Sequence, residues 1–528
     1  MKHPNHHTFH TLRLTLPTGV SPLCSLWEPK LAPCNNNRGR RFVMLLLVVG
    51  ALMLASCAEQ VSNARQEATT PEIYPDYVDV TIPVGIAPLN FGMKSDEAQL
   101  VDAVITDAKG HTLHGQGRET TDFDIDDWHK LVSQNVGDSL SVTVSAKLAD
   151  GWHTYRTFHL YVSTDSIDYG LCYRLIEPGY EVWSKMGIYQ RDLSTFEQRP
   201  VLENTQFQGC VNCHGFNRGD PSRMSLHIRG PHGATLFLDE GKLTAYNTKT
   251  DSTLGFCVYP YWHPSGKYIA YSTNTTRQVF HIRDANRIEV FDAASDIQVY
   301  DIEHNQLIIT PSLKTDSLYE TFPVFSADGK WLYFCAARAL PEGSMSLDSL
   351  HYNLYRVVFD AERGSYGDAI ECVIDAGDSL TVCFPRPSYD GRYLVYSLAN
   401  YGQFSIWHHE ADLWMLDLAT GERRPMTNIN TSDTESFHNW SSNSRWMVFS
   451  SRRDDGLFTR PYFTHIDADG HETKPFMLPQ QNPRRFYREL FMSFNVPDFI
   501  RGAVQMDNVK AVELINADYR EPMGVVER

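Results

Sequence analysis

The sequence predicts an all-β protein in which a small antiparallel β-sandwich precedes a ring of repeated four-stranded sheets. Two observations lead to this prediction. Short runs near the N-terminus alternate polar and apolar residues, and one longer motif recurs four times in the second half of the chain. A length of 528 residues exceeds what one compact core usually holds, but it suits a repeat architecture.

The N-terminal stretch "RGRRFVMLLLVVGALMLASCAEQ" has the pattern of a lipoprotein signal peptide. Its arginines precede 15 uncharged, mostly apolar residues from 42 to 56, a run too short to span a bilayer as a helix. The run ends in Leu-Ala-Ser-Cys, which resembles a bacterial lipobox. This resemblance implies cleavage before Cys57 and a lipid on its thiol.

The resemblance defines the first two segments of the chain. We expect residues 1–56 to be a removed signal region, and a translation start assigned too far upstream would explain residues 1–37. Residues 57–74 form a polar, lipidated tether in this interpretation. A lipoprotein of this kind belongs to the cell envelope, and we expect it on the periplasmic face of the outer membrane, held by its N-terminal lipid anchor only.

The charge of the chain restricts its partners. It carries 47 Lys and Arg against 64 Asp and Glu, and without residues 1–56 the balance is 41 against 63, a net charge of −22. Nucleic-acid binding depends on Lys and Arg, so this balance excludes nucleic acid as a partner. The expected partners are redox or structural proteins of the envelope.

Residues 75–165 predict the sandwich. Segments such as "YVDVTIPV", "SLSVTVSAKL" and "YRTFHLYV" alternate polar and apolar residues, and Asp150-Gly151 is a hairpin signal. Several short strands separated by turn residues are typical of an immunoglobulin-like antiparallel sandwich.

Four later segments share one register: 259–272, 322–335, 384–397 and 437–450. Each reads as an aromatic residue, usually a proline, a polar turn ending in Ser-Gly, Asp-Gly or Asn-Ser, then a basic residue and an aromatic-aliphatic strand. This pattern predicts two strands joined by a tight turn. Further strand-like sequence follows each segment and extends the repeat unit to about 50–60 residues, the size of a propeller blade with insertions.

The pattern Pro-x-aromatic-x-x-Asp-Gly-Lys-aromatic-aliphatic-aliphatic-aromatic resembles the repeat of TolB-type β-propellers. This resemblance implies a six-bladed β-propeller around a central channel. Two further blades are expected over residues 173–202 and 222–250, which lack the Asp-Gly-Lys turn. The propeller is therefore expected over residues 166–495, followed by a C-terminal tail over 496–528.

One blade carries a motif that the others lack. "CVNCH" over residues 210–214 stands where the other blades begin with segments such as "YPYWHPSGK". Cys-x-x-Cys-His is a signature of c-type haem attachment, in which both thiols bind vinyl groups and the histidine binds the iron. The motif predicts one covalent haem c held by Cys210, Cys213 and His214.

Other interpretations of the two thiols remain open. A structural zinc site usually needs four ligands, and the chain has no second Cys-x-x-Cys. A redox-active pair is expected at the start of a helix in an α/β domain, whereas this motif lies among strands. A disulfide across two residues would be strained. Other metal chemistry and a chance match also remain.

The second axial bond of a haem iron would need a further residue. Met224 and His227 are the preferred candidates, because ten extended residues reach about 33 Å and can pass around a porphyrin. A methionine would raise the reduction potential relative to a histidine. Met186 and the His408-His409 pair are the alternatives.

The sequence thus supports two main classes of function. The first is a lipid-anchored monohaem cytochrome that transfers one electron at a time. The second is a TolB-like binding protein of the envelope without haem, in which Cys210 and Cys213 form a disulfide. A haem enzyme is a third, less favoured class, since it would need an open sixth position on the iron and a substrate pocket. No Gly-x-Ser-x-Gly hydrolase motif is present, and electron transfer or binding is favoured over catalysis.

Overall fold

The computed structural model of the protein describes residues 59–177, 185–341 and 343–528. The expected signal region and the lipid-bearing Cys57 lie outside these residues. Val61–Arg528 forms one compact unit. Within the described parts of the chain, no helix is long and apolar enough to cross a bilayer.

The N-terminal part is built on a seven-stranded sheet. Its strands and those of a small separate pair are β1 (Arg65–Gln66), β2 (Ile73–Tyr74), β3 (Val80–Ile82), β4 (Gly92–Met93), β5 (Leu100–Thr106), β6 (Thr112–Gly117), β7 (Ser139–Leu148), β8 (Gly151–Thr154) and β9 (Phe158–Val162). The main path runs β1-β8-β7-β5-β6, β9 joins β7 to β3, and β2 pairs with β4. The pairs β1/β8 and β3/β9 are parallel, and the others are antiparallel.

One helix, α1 (Ile125–Ser133), belongs to this N-terminal part, and it was not predicted from the sequence. It begins where the Asp124 carboxylate accepts hydrogen bonds from the backbone N–H groups of Asp126 and Asp127. Such a cap accepts hydrogen bonds from backbone N–H groups that have no partner within the helix. Acidic residues in the first turn also interact favourably with the positive end of the helix dipole. Trp128, which is fully buried, anchors the helix to the core.

Twenty-four further strands form six sheets of four strands, not counting two short strands that join from the C-terminus. They are β10 (Gly170–Ile176), β11 (Gly187–Asp192), β12 (Gln198–Glu203), β13 (Cys210–Phe216), β14 (Arg223–Arg229), β15 (Ala234–Asp239), β16 (Lys242–Asn247), β17 (Cys257–Trp262), β18 (Tyr268–Phe280), β19 (Ile288–Asp301), β20 (Gln306–Ile309), β21 (Leu318–Phe325), β22 (Trp331–Arg338), β23 (Asn353–Asp360), β24 (Ser365–Ile374), β25 (Thr381–Pro387), β26 (Tyr393–Ala399), β27 (Asp412–Asp417), β28 (Arg423–Pro425), β29 (Glu435–Trp440), β30 (Trp446–Ser451), β31 (Arg460–His465), β32 (Phe476–Met477) and β33 (Ser493–Ile500). A short helix, α2 (Pro483–Glu489), precedes β33.

The six sheets are the blades of a β-propeller, as the sequence predicted. Blade 1 is β33-β10-β11-β12, and blades 2 to 6 take β13–β16, β17–β20, β21–β24, β25–β28 and β29–β32 in chain order. Strand β33 lies antiparallel to β10, with Gly170 opposite Ile500 and Ile176 opposite Ser493. The end of the chain therefore closes the ring, and the propeller continues to Ile500 rather than ending at 495.

The segment after β33 covers sheet edges. It contains α3 (Asn508–Asn516), β34 (Glu521–Pro522) and β35 (Gly524–Glu527). Strand β34 pairs with β16 at the outer edge of blade 2, and β35 pairs with β20 at the outer edge of blade 3. Open sheet edges expose unpaired backbone groups, so these contacts protect two of them.

Candidate functional site

The innermost strand of every blade carries the same backbone irregularity. One non-glycine residue in each has a positive φ, from 47° to 53°: Cys213, Tyr259, Phe322, Phe384, Phe437 and Val496. The pairing register of each strand shifts at this point. Left-handed backbone is rare for such residues, and its occurrence in all six blades identifies a built-in β-bulge.

The bulge residues of all six blades line one central cavity of about 330 Å³. Much of its wall is aromatic. The Phe384 ring lies 4.1 Å from that of Phe322 and 4.8 Å from that of Phe437, measured between centroids. Tyr259 and Phe404 also belong to this wall. The wall combines these rings with many polar and charged side chains, and a cavity of this size is in the range of small-ligand and cofactor sites.

The Cys-x-x-Cys-His motif forms strand β13, where it provides the bulge of blade 2. Cys213 lines the central cavity and is 9% exposed. Cys210 is 1% exposed and lies opposite Arg229, which does line the cavity. The cysteines within the described residues are thiols, and no disulfide joins Cys210 to Cys213.

His214 also lines the cavity, and its ring is held in one orientation. The backbone of Cys172 accepts a hydrogen bond from the ring, while Nε2 is buried without a hydrogen-bond partner. Burial, assisted by the positive charge of Arg174, lowers the pKa of His214 to about 4. The imidazole is therefore neutral at pH 7, the state in which histidine binds metals.

Met224 and His227, the preferred candidates for a second axial bond, lie on strand β14 and outside the lining of this cavity. Met224 is fully buried in the apolar cluster that also contains Phe216. His227 is 2% exposed, packs against the ring of Phe256 at 5.3 Å, and has a pKa lowered to about 3 by burial. Neither lines the cavity that contains Cys213 and His214.

The alternative ligand candidates also lie outside the lining of the central cavity. Met186 is buried at 1% exposure. His408 pairs with Glu289 at 2.9 Å, and His409 pairs with Asp433 at 2.8 Å. Among the described residues, no group of three or more His, Cys, Asp or Glu side chains has a geometry that could hold a metal ion.

His438 is a cavity residue that the sequence analysis missed. It follows the bulge of blade 6 as His214 follows the bulge of blade 2, at a position that the other blades fill with proline. Its Nε2 donates to the carbonyl oxygen of Val395 at 2.9 Å, and its Nδ1 has no partner. Alignment of "FHNW" with "CHGF" would have found it.

Five arginines in the cavity wall were missed as well: Arg174, Arg229, Arg277, Arg386 and Arg452. They come from strands β10, β14, β18 and β25 and from the residue after β30, so only the closed ring brings them together. Their positive charge contrasts with the net charge of −17 of the chain. The positive charge of the cavity wall therefore suits a negatively charged ligand.

No protein-family model and no curated protein matches the chain. Several solved structures resemble it weakly. Hydrazine synthase from Kuenenia stuttgartiensis is 16% identical over 52% of this chain and 69% of its own, with a TM-score of 0.29. A DUF4784 family protein from Bacteroides caccae is 9% identical over 68% of this chain and 95% of its own, with a TM-score of 0.29. The tricorn protease is 13% identical over 74% of this chain and 43% of its own, with a TM-score of 0.32.

Proposed function

We propose that the protein is a c-type cytochrome that carries one covalent haem in the channel of its propeller and transfers single electrons. The observation that carries this proposal is the buried, unpartnered Nε2 of His214, directly after Cys213 in the wall of the central cavity. A buried ring nitrogen without a partner is costly in a protein interior. Iron coordination would satisfy it.

The residues of the motif have distinct roles in this proposal. Cys213 and Cys210 would bind the two vinyl groups, and His214 Nε2 would bind the iron. Cys213 and His214 already line the cavity, whereas the Cys210 side chain would have to turn toward it. The bound haem would supply a one-electron carrier. The Cys172 backbone would hold the His214 ring in its orientation through the other ring nitrogen.

The aromatic wall would contribute by excluding water from the channel. A drier environment changes the reduction potential of a haem, because it changes the cost of a charged iron centre. Met224 and His227 remain candidates from the sequence for the second axial bond. Since neither lines the cavity, His214 is the only one of the three sequence-predicted ligands that the cavity wall supports.

The proposal also covers the place and partners of the protein. The lipobox-like N-terminus supports a lipid anchor at Cys57 and a position on the periplasmic face of the outer membrane. Redox or structural proteins of the envelope are then the partners, and the acidic surface argues against nucleic acid. The likeness to TolB-type propellers rests on the repeat motif of the sequence.

The first test is an absorption spectrum of the protein produced with a c-type haem maturation system, recorded oxidised and reduced. We expect haem bands that stay with the denatured polypeptide and disappear in the Cys210→Ala/Cys213→Ala variant. A folded but colourless protein would contradict the proposal. It would favour the alternative, a haem-free TolB-like binding protein.

The second test separates His214 from its counterpart in blade 6. We expect His214→Ala to retain covalent haem but to shift the bands of the reduced protein, with added imidazole restoring them. The matched variant His438→Ala should leave the bands in place. Unchanged bands in His214→Ala would show that this residue is not the iron ligand.

A further inference from the structure

Arg452 is a buried guanidinium without an ionic partner. It is 6% exposed, lines the central cavity, and stacks on the ring of Trp407 at 4.4 Å from the centroid. Its Nε is buried without a hydrogen-bond partner. No ion pair among the described residues includes it.

The acidic residues nearest to Arg452 are engaged elsewhere. Asp433 and Asp455 contribute only a longer-range electrostatic attraction to Arg452. Asp433 pairs with His409 at 2.8 Å, and Asp455 pairs with Arg460 at 3.8 Å. Burial lowers the pKa of Arg452 to about 10, which still leaves the guanidinium charged at neutral pH. A buried charge without a partner is strongly unfavourable, so the position calls for an anion from outside the chain.

The rest of the cavity wall supports an anionic ligand. Arg174 also has a buried Nε without a partner, and one of its terminal nitrogens donates to the side-chain oxygen of Asn212. Of the described residues in the wall, only Glu177 is acidic, against five arginines. The wall therefore offers positive charge and open N–H donors at more than one point.

We propose that Arg452 binds a carboxylate group of a ligand in the propeller channel. A guanidinium presents a planar pair of N–H donors that matches the two oxygens of a carboxylate. The guanidinium of Arg452 stacks on the Trp407 ring. This contact fixes the plane of the guanidinium and so orients its N–H donors before a ligand binds. The carboxylate comes either from a free small carboxylic acid or from a propionate of a channel-bound haem, and the site itself does not require haem.

The test uses the Cys210→Ala/Cys213→Ala protein, which cannot attach haem, with succinate as the probe. Succinate should quench or shift tryptophan emission and raise the thermal unfolding midpoint, because it binds the folded state only. Arg452→Gln should remove both effects, and Arg452→Lys should weaken binding at least tenfold. Arg423→Gln, which removes an exposed arginine of strand β28, should behave as the parent.

A second arm distinguishes the two sources of the carboxylate. In haem-loaded protein, Arg452→Gln should lower the midpoint potential if the guanidinium pairs with a propionate, since loss of a positive charge stabilises the oxidised iron. Succinate binding without haem would identify a free carboxylate as a ligand. A potential shift without succinate binding would identify the propionate.

Three results would overturn the proposal. The first is succinate binding of equal affinity in the parent and in Arg452→Gln. The second is binding of inorganic phosphate tighter than succinate at this residue. The third is the absence of both succinate binding and any potential shift. The first two are measured without haem, and if the spectrum shows that no haem attaches, the absence of succinate binding alone overturns the proposal. Failure of the cytochrome proposal is therefore detected separately, by the spectrum.

Discussion

The innermost strands of blades 2 and 5 have the same backbone conformation at the bulge but carry different side chains there. The bulge residues Cys213 and Phe384 have φ values of 47° and 49°. Blade 5 follows its bulge with Pro385, and blade 2 follows it with His214. The propeller thus provides one backbone position six times, and in blade 2 the side chains at this bulge, together with Cys210, make it a candidate site.

The two strands also differ in what the bulge residue contributes to packing. Phe384 is 4% exposed and contacts two neighbouring aromatic rings in the channel wall. Cys213 is a small side chain at 9% exposure in the same ring of residues. Blade 5 therefore uses the position for stability, while blade 2 leaves it open to the cavity.

The largest expected effect comes from converting blade 2 into a copy of blade 5. Cys213→Phe/His214→Pro should fold, because the bulge already accepts Phe-Pro in blades 4 and 5. It should lose covalent haem completely, since it lacks one thiol and the iron ligand. The absorption spectrum and the circular dichroism of the purified variant measure the two outcomes.

The reverse exchange, Phe384→Cys/Pro385→His, serves as the control for this conversion. Blade 5 has Thr381 three residues before the bulge, where blade 2 has Cys210. A new haem in blade 5 is therefore not expected. Haem retained by the converted blade 2 would show that attachment occurs elsewhere in the chain.

The next effect is on stability. Phe384→Ala should destabilise the propeller by about 3 kcal/mol, because truncating a buried phenylalanine removes its contacts and leaves a cavity. Cys213→Ala should cost about 1 kcal/mol or less, since it removes one sulfur atom from a site that borders the cavity. Denaturant titration of both variants in haem-free protein measures the two losses of unfolding free energy. Equal losses would contradict the interpretation that Phe384 stabilises the propeller more than Cys213 does.

The blades were predictable from the sequence where the pattern is local. An aromatic residue, a tight turn and a second strand lie within 14 residues, and this pattern marks blades 3 to 6. Strand β33 was missed because its partner β10 lies more than 300 residues earlier and no Asp-Gly turn marks it. Its Val496-Pro497 pair nevertheless follows the bulge pattern of the other blades.

The site was predictable only in part, for a related reason. Cys210, Cys213 and His214 are adjacent in sequence, so a motif could reveal them. Met224 and His227 were preferred for their closeness in sequence, but strand geometry carries their side chains to other surroundings. His438 could have been found from its place after the bulge of blade 6, whereas Arg452 reaches the cavity through ring closure, which no local pattern encodes.

The smallest expected effect concerns two carboxyl groups at equivalent positions, two residues before the bulge. Glu435 of blade 6 accepts hydrogen bonds from Arg453 and Ser451, both at 2.9 Å. Glu320 of blade 4 accepts one from Thr315 at 2.8 Å, and its other oxygen is buried without a partner. Burial raises the pKa of Glu320 from 4.5 to about 8.

This pKa makes the folded state sensitive to pH with a defined sign. Between pH 4.5 and 8 the unfolded chain has lost the Glu320 proton and the folded chain retains it, so stability falls as pH rises. The slope is at most about 1.4 kcal/mol per pH unit. Glu320→Gln should remove this slope, so that its stability relative to the parent increases as pH rises from 6 to 7. Glu435→Gln should be less stable than Glu320→Gln, since it removes the carboxylate that pairs with the partly buried guanidinium of Arg453. Urea titrations across this range measure both, and a parent-like slope in Glu320→Gln would show that its carboxyl group does not carry the buried proton.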